Sequence, residues 1–155
     1  MLTRRYALIL ALGALAGCGK RGSGVTQDVS GPPLFPNETP ELRSLINRYA
    51  DIYDVPPSLV HRVVLRESRH RPDARNGPYY GLMQILPQTA RTMGYGGSDA
   101  GLLNAETNLK YAVKYLRGAW LLSNGSEKQA VTWYAKGYYY EAKRRGMLQE
   151  TGLRG

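Results

Sequence analysis

A chain of 155 residues with 43% hydrophobic content is long enough for one domain with a real core and too short for two. Its formal charge of +9 is scattered and never gathers into a basic block of about five or six residues, so charge alone does not mark a nucleic-acid binder; an anionic polymer or membrane surface suits it equally. The single cysteine, Cys18, leaves the fold to be held by its core without a disulfide.

In chain order, Arg4 and Arg5 precede a small-apolar run, Tyr6 to Ala16, broken only by Gly13. The run is too short for a permanent membrane helix and suits the apolar region of a secretory signal. It ends in Leu15-Ala16-Gly17-Cys18, which resembles the lipobox of bacterial lipoproteins. That resemblance implies that residues 1–17 are removed and that Cys18 becomes the lipidated first residue. An ordinary signal peptide beside an incidental cysteine is the alternative. Residues 18–37 are rich in Gly, Ser, Pro and basic residues without periodicity, and read as a flexible tether, so the domain is expected to span 38–155.

A first helix is expected from Thr39, with Pro40 at the first helical position and Leu42, Leu45, Ile46, Tyr49, Ile52 and Tyr53 at helical spacing. Asp54-Val55-Pro56-Pro57 breaks it. A second helix from Pro57 to Ser68 carries Val60, Val63 and Val64 as its apolar stripe. Arg71-Pro72 and Asn76-Gly77-Pro78 mark tight turns. Leu82 to Leu86 fits strand or helix equally. Pro87 to Met93 reads as a brief helix stopped by Gly94, and Tyr95 to Leu103 as irregular. Asn104 caps the clearest helix, with Leu109, Ala112, Val113, Leu116, Ala119 and Trp120 as its stripe. Ser126-Glu127-Lys128-Gln129 opens another helix as a capping box, and a basic helix follows Tyr138-Tyr139-Tyr140. The fold class is mainly α, a single compact helical domain with at most a minor strand element.

One residue is out of place in this pattern. At about 100° per residue, Glu67 falls between Val63 and Val64 on the apolar face of the second helix, with Arg62, Arg66 and Arg69 on the other side. A carboxyl desolvated there, at a helix C-terminus, holds its proton to higher pH, as a general acid requires. A structural Glu–Arg pair is the bland alternative. A hydrolytic glycosidase uses two facing carboxylates, but Asp73, Asp99 and Glu106 each read as structural, which favours a single-acid mechanism.

Glu67-Ser68, Pro72, Ala74, Gly81-Leu82-Met83-Gln84-Ile85, Pro87 and Thr89-Ala90 together resemble the signature of bacterial soluble-type lytic transglycosylases. Asn108 with Ala112, the pair Tyr115-Leu116 and Tyr134 are similar to the family's downstream motifs. The resemblance implies a lysozyme-like fold and non-hydrolytic cleavage of the bond between N-acetylmuramic acid and N-acetylglucosamine in peptidoglycan, leaving 1,6-anhydromuramic ends. It implies Glu67 as the catalytic acid and then base, with Met83, Gln84 and Tyr134 lining the substrate cleft. Two positions depart from the family pattern. Asn76, taken as substrate-binding, stands near the place of a serine that hydrogen-bonds the acid, and Tyr134-Ala135-Lys136-Gly137 replaces Tyr-Asn-Ala-Gly.

Among the other candidates, Trp120 reads as core, and Trp133 as either core or cleft. Of Tyr79, Tyr80, Tyr138, Tyr139 and Tyr140, two are expected to stack on sugar rings, with Tyr80 taken as substrate-binding. His61 and His70 have no carboxylate or cysteine at ligand spacing, so no metal and no cofactor is expected. The expected partners are glycan strands and, through Cys18, a membrane, with no nucleic acid. The protein is expected to be a monomer at the periplasmic face of a bacterial membrane. A lysozyme-type hydrolase and a non-catalytic peptidoglycan-binding lipoprotein are the alternative readings.

Overall fold

The computed structural model describes residues 32–154. The signal-like leader, the lipobox-like Leu15-Ala16-Gly17-Cys18 and the tether up to residue 31 lie outside the described residues. No helix among the described residues is long and apolar enough to cross a membrane.

Helix α1 (Pro40–Ile52) starts where its capping chemistry puts it: Thr39 Oγ1 accepts from the Leu42 N–H at 3.1 Å and Pro40 takes the first helical position. It buries Leu42, Ile46, Tyr49 and Ala50, whereas Ile52, on its last turn and at the edge of the stripe, is 57% exposed. Thr39→Ala is expected to cost about 1 kcal/mol, measured by chemical denaturation. Helix α2 (Pro57–Glu67) follows the Pro56-Pro57 break and buries Leu59, Val60, Val63 and Val64 completely.

Four residues assigned by sequence to the tether, Pro32, Pro33, Phe35 and Asn37, make contacts with the domain instead. The Arg43 guanidinium donates to the carbonyls of Pro32 and Pro33, the Phe35 N–H donates to Glu38 at 2.8 Å, and Asn37 Nδ2 donates to the Arg69 carbonyl at 3.0 Å. A low-complexity stretch is thus held by side chains that only the fold brings near it.

The strand element is small. β1 (Arg75–Asn76) and β2 (Tyr79–Tyr80) form an antiparallel hairpin across Gly77-Pro78, with Gly77 at φ +56° as a turn of this kind requires at its first position. The apolar run Leu82 to Leu86 is neither strand nor helix. It is a tight loop closed by paired backbone bonds between Tyr80 and Ile85, both 3.1 Å, and it pushes Leu82 and Met83 fully into the core. Two residues within it, Gly81 at φ +72° and Gln84 at φ +48°, take left-handed backbone conformations, which breaks any regular period.

Helix α3 (Pro87–Thr92) is followed by a short 3₁₀ helix at Asp99–Leu103, in the stretch read as irregular, where the buried Leu102 anchors the turn. Helix α4 (Ala105–Leu121) is the longest and is capped by Asn104 Oδ1, which accepts from the Thr107 N–H at 3.0 Å. Its stripe packs against α1, α3 and α5 (Glu127–Lys136). Ser126 Oγ caps α5 at 3.3 Å, and Glu127 reaches Ser58 Oγ (2.5 Å) and Arg62 (3.2 Å), which ties the start of α5 to α2. Helix α6 (Tyr139–Arg144) closes the domain. Trp120 is only partly buried but does pack on the core, and Arg144 and Arg145 clasp Glu141 at 2.6 Å each.

Candidate active site

The site rests on a loop nailed down by one buried amide. Asn108, on α4, is fully buried; its Oδ1 accepts from the Met83 N–H at 2.9 Å, and its Nδ2 donates to the carbonyls of Tyr80 (2.8 Å) and Leu102 (2.9 Å). The Met83 N–H and the Leu102 carbonyl are thereby satisfied, as burial demands, and the Tyr80 carbonyl gains a second donor beside the Ile85 N–H. Gly81 lies directly against this amide: a Cβ there would come within 2.4 Å of both Asn108 Nδ2 and the Leu102 carbonyl. The loop then holds Gln84 at the surface of a cavity. Gln84 Nε2 donates to the Gly81 (2.8 Å) and Ala74 (3.1 Å) carbonyls, which orients the amide and leaves its Oε1 outward.

Glu67 is the last residue of α2, in line with the buried valines, and its side chain is 23% exposed. Burial pushes its carboxyl above the ordinary carboxylate range, while the Arg66 guanidinium, 3.4 Å away, pulls in the opposite direction without cancelling the effect. Arg66, assigned to the opposite side of the helix, therefore folds its long side chain back toward the acid. A raised folded-state pKa means that the folded protein binds more protons than the unfolded chain between the two pKa values. Stability therefore falls as pH rises through that window. Glu67→Gln is expected to raise the melting temperature near neutral pH and to lose that advantage below the ordinary carboxylate range, as a pH series of thermal melts would read.

Across from Glu67 stands Tyr134 of α5. Its hydroxyl donates to the Met83 carbonyl at 2.8 Å, its ring meets Tyr115 edge-on at 5.5 Å, and the nearby Glu67 charge adds to burial in holding it protonated. Tyr115 is likewise pushed up to about 12 by burial and stacks on Tyr138 at 4.6 Å. Both hydroxyls are neutral hydrogen-bond donors at any physiological pH. Tyr134→Phe is expected to leave the Met83 carbonyl unsatisfied at a cost of about 1 kcal/mol or more, measured by denaturation, with turnover reduced as well.

A cavity of about 270 Å³ opens beside this pair, lined by Tyr79, Gln84, Thr89, Tyr115, Tyr134 and Lys136 among others. None of its lining residues is acidic. Glu67 adjoins it through Tyr134 instead of forming its wall. The other carboxylates weighed as partners are occupied or outward: Asp99 pairs with Arg91, Glu106 with Arg48 and the Tyr49 hydroxyl, and Asp73 is exposed.

Several residues sit elsewhere than expected. Met83 does not line the cleft with its side chain, which is fully buried; its backbone N–H and carbonyl link Asn108 to Tyr134. Tyr80 is turned inward, 8% exposed, with its hydroxyl accepting from Arg75 at 2.6 Å and the guanidinium over its ring. The strand alternation gives the cavity Tyr79 instead. Asn76 is exposed in β1 and makes no side-chain bond to Glu67 among the described residues. Of the Tyr138–Tyr140 run, Tyr138 is core, while Tyr139 and Tyr140 are exposed beside Trp133 at a second, mostly apolar hollow. Tyr115 and Lys136, as cavity walls, were not legible as site residues from periodicity, because both lie at the margins of stripes that read as core.

With this geometry, the comparison with known families is direct. The model of the transglycosylase SLT domain matches residues 44–149. The chain belongs to that family, and its mostly helical architecture with one small hairpin is compatible with the family's lysozyme-like domain. The match supports a transglycosylase-type function acting on peptidoglycan glycan strands.

Proposed function

We propose that this protein is a lytic transglycosylase that cleaves the β-1,4 bond between N-acetylmuramic acid and N-acetylglucosamine and leaves 1,6-anhydromuramic ends. The observation that carries the reading is the isolation of Glu67: a carboxyl with raised proton affinity beside an uncharged tyrosine, next to a cavity whose wall holds no second carboxylate. A two-carboxylate hydrolase needs a partner across the sugar; a single acid can serve twice. The Glu67 carboxylic acid donates its proton to the glycosidic oxygen as the C1–O bond breaks, and the 2-acetamido oxygen of the muramic acid assists departure. The Glu67 carboxylate then accepts the proton of the C6 hydroxyl as O6 closes on C1. No water enters, and the acid is restored.

Gln84 Oε1 and the Tyr134 and Tyr115 hydroxyls supply neutral polar groups for the sugar, and Tyr79 supplies an aromatic face at the rim. The exposed Asn76 has no bond that would orient Glu67, so Tyr134 and the buried valine face are the supports we assign to the acid. At the N-terminus, the same reading has residues 1–17 as a signal peptide and Cys18 as a lipid anchor that holds a monomeric enzyme at the periplasmic face of the membrane. Metabolic labelling with a fatty-acid probe, lost in Cys18→Ser, tests the anchor. Digestion of purified sacculi tests the reaction, because an anhydro end is lighter than a hydrolysed end by one water.

A further inference from the structure

The chain's only two histidines, distant from Glu67's cavity in role and read from sequence as isolated, converge on a buried carboxylate. Glu38, His61 and His70 each present one ligand atom, and these atoms all lie within 4.8 Å of one another. Sequence spacing did not show this, because Glu38 comes from the stretch before α1, His61 from within α2, and His70 from the turn after it. That turn is unusual. Arg69 and His70 both adopt left-handed backbone conformations, φ +53° and +60°, which swings the imidazole of His70 back under α2.

Among the described residues, three of the cluster's four imidazole nitrogens have no hydrogen-bond partner. Both ring nitrogens of His70 are buried without a hydrogen-bond partner, and so is His61 Nδ1. His70 itself has no exposed surface. Buried imidazole nitrogens normally find partners, and leaving them bare is unfavourable. His61 Nε2 lies 3.4 Å from Asn47 Oδ1, an acceptor, so Nε2 carries the proton and Nδ1 points its lone pair at Glu38 Oε1, 3.6 Å away. Two lone pairs facing each other call for a cation between them. Donors sharing a tetrahedral zinc at about 2.0–2.1 Å are about 3.4 Å apart, so this pair needs little movement.

We propose that Glu38, His61 and His70 form a binding site for a divalent transition-metal ion of the zinc type. Two imidazoles and a carboxylate are a zinc donor set, with water as the fourth ligand. The surrounding groups hold the ligands in place. Arg43 Nε donates to Glu38 Oε1 (3.1 Å), and Oε2 accepts from Arg43 Nη2 (2.7 Å) and the Phe35 N–H (2.8 Å), so one lone pair of Oε1 remains for the metal. The Phe35 ring stacks on His70 at 5.1 Å and leans on His61 at 5.7 Å, covering the site. The Arg43 charge opposes a cation, so the site favours a metal that bonds imidazole over magnesium or calcium, which take oxygen ligands.

Such a metal would clip the segment Pro32–Glu38 to the C-terminal end of α2, three residues beyond Glu67. Glu38 lies before the stretch matched to the family, residues 44–149, whereas His61 and His70 lie within it.

Cobalt and zinc alone are the probes, with the full chain carrying Cys18→Ser so that no thiol competes. We expect saturable binding of one Co²⁺ with visible tetrahedral absorption, displacement by Zn²⁺, and a rise in melting temperature with Zn²⁺ that a chelator reverses and Mg²⁺ does not reproduce. His61→Ala and His70→Ala should each abolish the absorption. Should His70→Ala fail to fold, His61→Ala carries the test, because that ring is partly exposed. Absence of saturable binding to the folded parent, or binding retained in the folded His61→Ala protein, overturns the proposal. Because the readout is metal and not turnover, the result is independent of whether the protein cleaves glycan.

Discussion

Glu67→Gln is expected to lower release of anhydromuropeptides from purified sacculi by at least about a hundred- to ten-thousand-fold, the range of a lost general acid. The upper end is favoured here, because one carboxyl is assigned both proton transfers and no neighbour on the cavity wall can take over either. Glutamine keeps the shape and hydrogen-bonding reach of the side chain but cannot donate or accept the proton. The variant should therefore fold with an unchanged circular dichroism spectrum and still sediment with sacculi. It should also be the more stable protein near neutral pH, since it removes a group whose ionisation burial opposes. Lost turnover together with gained stability distinguishes a functional acid from a structural ion pair, whose removal would cost stability.

The second large effect belongs to the loop support. Asn108→Ala is expected to destabilise the domain by about 3 kcal/mol, because it strands the Met83 N–H and the Leu102 carbonyl and takes one of two donors from the Tyr80 carbonyl. For a domain of this size that lowers the melting temperature by roughly 10 °C. Gly81→Ala attacks the same joint from the other side, with a Cβ 2.4 Å from the amide and from the Leu102 carbonyl, at a backbone conformation that alanine disfavours. Both variants should lose turnover as well as stability, since Gln84 and the Met83 carbonyl that holds Tyr134 ride on this loop. Thermal melts and sacculus digestion on the same preparations separate this pattern from that of Glu67→Gln.

The helices were legible in the sequence because each is written twice, once in its stripe and once in its caps. Thr39 with Pro40, Asn104 and Ser126 mark starts that the structure keeps. The Leu82–Leu86 run was not legible, because its conformation is set by Asn108 from a distant helix and by left-handed residues that no period announces. Glu67 could be found from helical angles alone, since a carboxylate among buried valines is a local contradiction. The orientation of its neighbours could not: whether Tyr79 or Tyr80 faces the cavity depends on one strand's register, and Met83 contributes backbone where a side chain was expected. The histidine–carboxylate cluster is not legible in the sequence for a similar reason. Its carboxylate comes from the residue just after the stretch that reads as tether, and the Arg43 and Phe35 contacts hold it in place.

The most direct measurement of the central claim is the mass of the fragments that the parent protein releases from sacculi, set beside those from Glu67→Gln. The single-acid account predicts muropeptides ending in 1,6-anhydromuramic acid from the parent and essentially none from the variant. Fragments heavier by one water, or undiminished release by the variant, would contradict it.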